Sequence, residues 1–402
     1  MTSTIPDEVT SHDVVVVGAR CAGSATALLL ARAGHDVLLV DKARLPSDRL
    51  STHAIARGGV VQLHRWGLLD AVLETGAPPI RRVAFHLDGE VKRHTVKPTA
   101  GVDMLLAPRR IHLDGVLADA AVRAGAELCT GRTVLAVVRD PHGRVVGVRA
   151  RTPDGAVHEH RARLVIGADG RHSRMAALLG AARQEWHAPG ETTYYGYVSG
   201  VDWQGFEFHV ASAAFAGMFT THHGHGCVWL SRPSALLADV ATAGAERPGA
   251  WQRALDASVP DLGERVRAGA LTEPVRGATR LPQHLRVPVG PGWALVGDAA
   301  YHKDPITGHG ITDAFRDADL LATAADDALR HPHREAAALL GYHRQRDRLS
   351  RDVFELTRAI AGFPEPQALM ALQIRLSGAL EEEALTLAAR AAPRWAADAS
   401  AA

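Results

Sequence analysis

Residues 13–41 alternate between apolar runs and punctuation: DVVVV, a glycine turn, SATALLLARA, Gly34, and a second apolar run ending in Asp41. The four valines at 14–17 predict a strand buried on both faces. Residues 24–33 hold strong helix formers over the length of a crossover helix, and Gly34 sits where a left-handed cap would end it. Residues 37–40 predict a second buried strand with Asp41 at its carboxyl end. This strand–turn–helix–strand order is that of a dinucleotide-binding unit: turn amides and the helix N-terminus hold a pyrophosphate, and the acid receives ribose hydroxyls. The glycine pattern reads Gly18-Ala19-Arg20-Cys21-Ala22-Gly23, with Arg20 where a second glycine is expected. A guanidinium there is itself able to meet phosphate or adenine.

Further along, residues 60–73 have the periodicity of an amphipathic helix, and residues 81–95 read as β-structure turning at Asp88-Gly89. Leu113, Val116, Leu117 and Ala120 mark one helical face, with Arg110 just before it. Residues 127–165 contain short β-rich segments spaced as a three-stranded meander, ending in the apolar strand before Ala168-Asp169-Gly170. Residues 184–229 are aromatic, histidine-rich and strand-like, which predicts a separate sheet. Residues 234–270 return to helical texture. A strand at 293–296 meets Gly297-Asp298, a loop, and a helix over 312–330. The remainder, 331–402, reads as helix rich in alanine and arginine with no motif of its own.

The chain has 402 residues, more than one core usually holds. Its formal charge of +1 gives no electrostatic footprint for nucleic acid or an anionic membrane. The three cysteines are far apart, so neither a disulfide framework nor a cysteine zinc site is expected. The first residues lack the charged and apolar regions of a secretory signal, and no apolar run is long enough to span a bilayer. A cytoplasmic address is the default expectation.

Three strand-to-helix turns carry chemistry: the one at Gly18, the one at Asp169-Gly170, and Gly297-Asp298 with the following YHKDPITGHGI loop. In this order they resemble the FAD-dependent class A aromatic hydroxylase superfamily with the p-hydroxybenzoate hydroxylase fold, which also includes geranylgeranyl reductases and flavin halogenases. The resemblance spans about residues 12–330. It implies an α/β fold: a three-layer, Rossmann-like FAD-binding domain from residues 12–80, 107–182 and 281–330. An antiparallel sheet domain for the substrate comes from 81–106 and 183–280, a helical C-terminal segment from 331–402, and residues 1–11 are a flexible tail.

The resemblance also implies roles. Gly18, Arg20, Cys21, Ala22 and Gly23 would line the FAD pyrophosphate, with Asp41 and Lys42 at the adenosine ribose and Arg49 over the flavin or pyrophosphate. Arg110 opens an R-x-x-L-D-x-x-L-x-x-A helix and would reach the phosphates. Asp169 and Gly170 would lie near FAD and NAD(P)H. Gly297 and Asp298 would hold the ribityl side, and Pro305, Gly308, His309, Gly310 and Ile311 the isoalloxazine. A helix N-terminus beside the flavin pyrimidine edge stabilises the anionic reduced ring.

The expected activity is monooxygenation. NAD(P)H reduces FAD, O2 forms a C4a-hydroperoxide, and an aromatic or polycyclic small molecule is hydroxylated or epoxidised. The rivals are alkene reduction of the geranylgeranyl reductase type and a non-catalytic FAD-binding protein. No W-x-W-x-I-P stretch supports a halogenase. The cofactor performs such chemistry, so no nucleophile is expected. His53, His302, Asp304 and Pro305 are the candidates near the flavin, and His302, Lys303 or His309 can donate a proton. No metal site is expected: His222, His223 and His225 lack a second ligand set and read as a cavity-lining or solvated strand. Cys21 reads as an apolar filler. Tyr194, Tyr195 and Tyr197 line either a pocket or a core. Oligomeric state is left open between monomer and homodimer.

Overall fold

The computed structural model describes residues 6–45, 48, 50–279 and 281–390. At its centre is a sheet in which Trp293–Leu295, Val157–Gly167, Glu8–Val17, Val37–Asp41 and Glu127–Thr130 lie parallel in that order. The valine run is divided by the pleat. Val14 and Val16 pack on the layer that contains helices Cys21–Arg32, Arg110–Arg123 and Gly310–Arg330. Val15 and Val17 pack on the opposite layer, with Val145 and Val148 from a meander and Met175 from a short helix. Three layers result, as expected, because a strand buried on both faces needs cover on both.

Several boundaries differ from the sequence reading. The first strand begins at Glu8, because Glu8 to Arg161-facing Ser11 pair with Val157–Gly167; residues 8–11 are therefore sheet and not flexible tail. The first helix begins at Cys21 and not at residue 24, so Cys21, Ala22 and Gly23 form its first turn. The helix expected over 60–73 is two, Arg57–Arg65 and Leu69–Glu74, broken where Gly67 takes a φ of 65°.

A second sheet of eight strands contains Glu191–Ser199, Gly226–Pro233, Ala214–Thr220, Phe206–Ala211, Arg82–Leu87 and Glu90–Thr95. It is not wholly antiparallel: Arg82–Leu87 pairs parallel with Phe206–Ala211, which joins segments far apart in the chain. Asp88 and Gly89 both take positive φ in the hairpin turn. One face of this sheet, with Tyr194, Val198, Met218 and Val228, packs on helices Arg247–Ser258 and Pro260–Ala268 through Trp251, Leu255 and Leu262. The other face, with Tyr195, Tyr197, Phe215, Phe219 and Trp229, meets Ile306, Ile360 and Leu369. The three tyrosines thus divide between the two faces.

Two long helices, Glu335–Ala361 and Pro366–Ala388, complete the chain's described part. The first is tied to the central sheet by Tyr342, whose hydroxyl donates to the Leu295 carbonyl at 2.9 Å. No described helix is long and apolar enough to cross a membrane. Trp251 is fully buried behind the second sheet, so Trp251→Ala should cost about 3–5 kcal/mol. The expected outcome is a lower melting temperature by calorimetry with the central sheet's cofactor affinity retained; an unchanged melting temperature would contradict this packing.

Candidate functional site

The carboxyl ends of the parallel strands meet three turns. Gly18 has a φ of 111°, and a Cβ there would lie 2.4 Å from the Ala168 carbonyl oxygen. A Cβ on Gly23 would lie 1.7 Å from the Gly18 carbonyl oxygen. Both positions therefore require glycine: backbone approaches backbone where the strand enters the helix. Arg20 precedes the first helix without capping it, so its side chain leaves the first-turn amides for a ligand. Arg20 Nη1 instead reaches Asp114 at 3.1 Å, which explains how an arginine replaces the second glycine without closing the turn.

Asp114 is fully buried and gathers this corner. Arg110 donates to it twice at 3.0 Å, and the Cys21 thiol donates at 3.3 Å. Burial pushes the Cys21 thiol well above its ordinary pKa, which keeps it a protonated filler. Asp41 accepts from the Ala19 amide at 2.8 Å and from the Ala43 amide at 2.7 Å; Lys42 is exposed. Arg49 lies outside the described residues.

At the second turn, Asp169 accepts from Ser173 at 2.5 Å and from the Met175 amide at 2.9 Å, and Gly170 has a φ of 81°. At the third, Gly297 has a φ of 59° and packs against Ala22, while Asp298 is half-buried with no side-chain hydrogen bond among the described residues. Asp304 accepts from the Ile306 amide at 3.0 Å and so caps the turn at Pro305. Gly308 has a φ of 63°, and a Cβ there would lie 3.4 Å from the Ala54 Cβ. His309 then precedes the 21-residue helix Gly310–Arg330 without a side-chain cap, and Ile311 lies in its first turn. A Cβ on Gly310 would meet nothing within 4 Å. Two uncapped helix N-termini, a glycine turn and the unpartnered carboxylate of Asp298 together fit a dinucleotide such as FAD.

Glu383 was not foreseen. It comes from the Pro366–Ala388 helix, is buried, and accepts from His309 Nε2 at 3.0 Å and from Arg316 at 3.0 Å. Arg316 also binds Asp313 at 2.8 Å and Asp317 at 2.7 Å, and Lys303 contacts Asp313. The donor atoms of His309, Asp313 and Glu383 lie close enough for a metal ion. Lys303 and Arg316 already form ion pairs with those carboxylates. At His86, Glu207 and His209 the carboxylate is likewise held, bidentate, by Arg265 at 2.6 and 3.0 Å. His222 is buried against Thr75 and stacks on His112 at 4.4 Å.

His53 is fully buried in a left-handed backbone conformation, φ 68°, and hydrogen-bonds through Nε2 to the Tyr197 hydroxyl. Its Nδ1 has no hydrogen-bond partner among the described residues. The Arg109 guanidinium stands 4.3 Å above the Tyr197 ring. Burial lowers the His53 pKa to about 3 and raises that of Tyr197, so at neutral pH the imidazole is uncharged and the phenol keeps its proton. Burial also raises the carboxyls of Asp304 and Glu191, which share a hydrogen bond. His302 is buried and spends Nδ1 on the Pro282 carbonyl at 2.8 Å.

A family model described as an FAD binding domain matches residues 11–357. The chain belongs to this FAD-binding family. The flavoprotein is 31% identical over 332 residues to menaquinone reductase of Mycolicibacterium smegmatis, covering 75% of this chain and 73% of that one. It is 30% identical to digeranylgeranylglycerophospholipid reductase 1 of Methanopyrus kandleri, covering 87% and 89%. The Pseudomonas aeruginosa PqsL structure with 2-aminobenzoylacetate superposes with a TM-score of 0.77 at 24% identity, covering 92% of this chain and all of PqsL. That similarity shows a shared fold. The flavoprotein is thus an oxidoreductase of the monooxygenase and reductase family.

Two outcomes are expected. Asp114→Asn leaves the Arg110 guanidinium facing a neutral amide; breaking such a buried pair costs about 3–5 kcal/mol and should lower both melting temperature and FAD affinity in a fluorescence titration. Unchanged values would remove Asp114 from its organising place. Second, burial depresses His53 to about 3, His284 to about 3, His222 to about 4 and His160 to about 4. The unfolded chain binds those protons near the ordinary histidine pKa, so stability is full above about pH 6.5 and falls as pH drops toward about 3. Denaturant midpoints measured across this window should fall with acid, and less steeply in His53→Gln.

Proposed function

We propose that this flavoprotein reduces an isolated carbon–carbon double bond in an apolar, isoprenoid-type substrate. The observation that carries the reading is the aromatic face of the second sheet over the Pro305–Thr307 turn. Phe215 and Phe219 lie 5.1 and 5.6 Å from Trp229, Phe208 lies 5.9 Å from Phe215, and Ile306 belongs to the same apolar cluster. Phe215, Phe219 and Trp229 are buried against Ile306, Ile360 and Leu369, so the region beside the turn is apolar and nearly free of charge, which suits an alkyl or alkenyl chain. The names of the two similar reductases, one acting on menaquinone and one on a digeranylgeranyl lipid, support the same substrate class.

Bound FAD supplies the two-electron chemistry, with NAD(P)H as the electron donor. In this reading Gly18, Gly23 and the first-turn amides after Arg20 hold the pyrophosphate, with Arg110 behind them. Asp41 would receive the adenosine ribose, Asp298 a ribityl hydroxyl, and the amides of Gly310 and Ile311 the pyrimidine edge. The aromatic sheet excludes water and orients the chain. Tyr197 keeps a proton on its hydroxyl, and His53 fixes where that hydroxyl points; protonating one alkene carbon is what the protein adds to a hydride from the cofactor. Residues 81–106 and 183–280 form the substrate-side unit.

Oxygenation is the second reading, because the three flavin turns resemble those of class A hydroxylases, and it would consume O2. The FAD-loaded protein should be supplied with NADPH and either menaquinone or a digeranylgeranyl lipid, with and without isotopically labelled O2. Reduction predicts a product heavier by two hydrogens in the absence of oxygen. Oxygenation predicts a product carrying the label, and turnover of neither lipid would sink the isoprenoid reading. Tyr197→Phe should slow reductive turnover by about 10²–10⁴-fold while NADPH still bleaches the flavin at the wild-type rate.

A further inference from the structure

The imidazole of His309 has an assignable tautomer. Its Nε2 faces Glu383 Oε2 at 3.0 Å, and a carboxylate only accepts, so Nε2 carries the hydrogen. Nδ1 is then a bare acceptor, and it is buried with no hydrogen-bond partner among the described residues. A carboxylate-oriented imidazole with one free nitrogen is built to take up a proton.

Its surroundings leave room for one positive charge. Asp313, Arg316 and Asp317 face it from the helix it precedes, Lys303 from the preceding loop, and Glu383 from the Pro366–Ala388 helix. Tyr301 lies beneath, its ring 5.1 Å from Lys303 and 5.5 Å from Arg316. Three carboxylates oppose the cations Lys303 and Arg316, so a neutral imidazole leaves the cluster short of one positive charge. Burial, together with Lys303 and Arg316, holds the His309 pKa below its ordinary value in this state, and Glu383 opposes that shift. Burial also lowers Lys303 to about 7, which makes Lys303 the competing proton site.

We propose that His309 Nδ1 takes up a proton when the flavin is reduced, coupling the charge of the buried cluster to the redox state of the ring. Two electrons from a nicotinamide or a chemical reductant enter the flavin. One proton goes to N5, and negative charge stays at the pyrimidine edge by the N-terminus of the Gly310–Arg330 helix. The second proton comes from solvent and binds Nδ1, one residue from that N-terminus. No bond breaks in the protein. The inference rests on the placement of FAD in the proposed function and not on the substrate, so it survives if the alkene reading fails.

The test is the pH dependence of the flavin midpoint potential, measured anaerobically on FAD-loaded protein with dithionite and reference dyes. Two protons per two electrons give a slope of about 59 mV per pH unit, and one proton about 30 mV. Wild type should show the steeper slope at pH values above the His309 pKa of the oxidised state and below that of the reduced state, and break to the shallower one above the latter. His309→Asn should follow the shallow slope throughout, with the absorption of an anionic reduced flavin. Glu383→Gln removes the charge that favours the imidazolium and should move the break to lower pH. An unchanged steep slope in His309→Asn, with protonation passing to Lys303 or to the flavin itself, would overturn the proposal, as would an unmoved break in Glu383→Gln.

Discussion

A guanidinium with no access to solvent cannot stand alone, and that constraint organises this molecule. Arg316 is fully buried, and its charge is met by Asp313 and Asp317 on its own helix and by Glu383 from the last long helix. Separating any of them leaves an unpaired buried charge, which is far costlier than any surface contact. The Gly310–Arg330 helix, the loop bearing Lys303 and His309, and the Pro366–Ala388 helix are therefore held in the one arrangement that meets the Arg316 charge. Asp114 solves the same problem on a smaller scale for Arg20, Arg110 and Cys21 at the other turn.

The parts of the fold that the sequence discloses are those whose causes lie close together in the chain. The alternation within residues 14–17, the turn at Gly18 and the positive φ of Gly34 follow from neighbours. The Asp88-Gly89 hairpin does as well. The parallel pairing of Arg82–Leu87 with Phe206–Ala211 has no local signal, because either strand can pair in either direction. Glu383 was invisible for the same reason: nothing in an alanine-rich helix marks one glutamate as the partner of His309, 74 residues earlier. A signal did exist in the other direction. Lys303, His309, Asp313, Arg316 and Asp317 crowd charge around an apolar helix, and buried charges of mixed sign imply a partner elsewhere.

Arg20 looks like a defect in a glycine pattern until Asp114 is placed beside it, and the helix then starts at Cys21 because the arginine side chain is drawn away from the turn. The tyrosine alternation leaves open which side of the sheet is a core and which a cavity. Both faces prove to be core: helices carrying Trp251 and Leu262 cover one, and Ile306, Ile360 and Leu369 cover the other.

The charge cluster also imposes an order on synthesis. Arg316 emerges from a ribosome 67 residues before Glu383, while the turn at Gly18 and its partner Asp114 are complete far earlier. A nascent chain therefore completes the corner at Gly18 and Asp114 first and, for several seconds at ordinary elongation rates, carries Arg316 with Asp313 and Asp317 beside it but without Glu383. During that interval the Gly310–Arg330 helix, acidic overall, lacks the partner that His309 and Arg316 share in the finished fold.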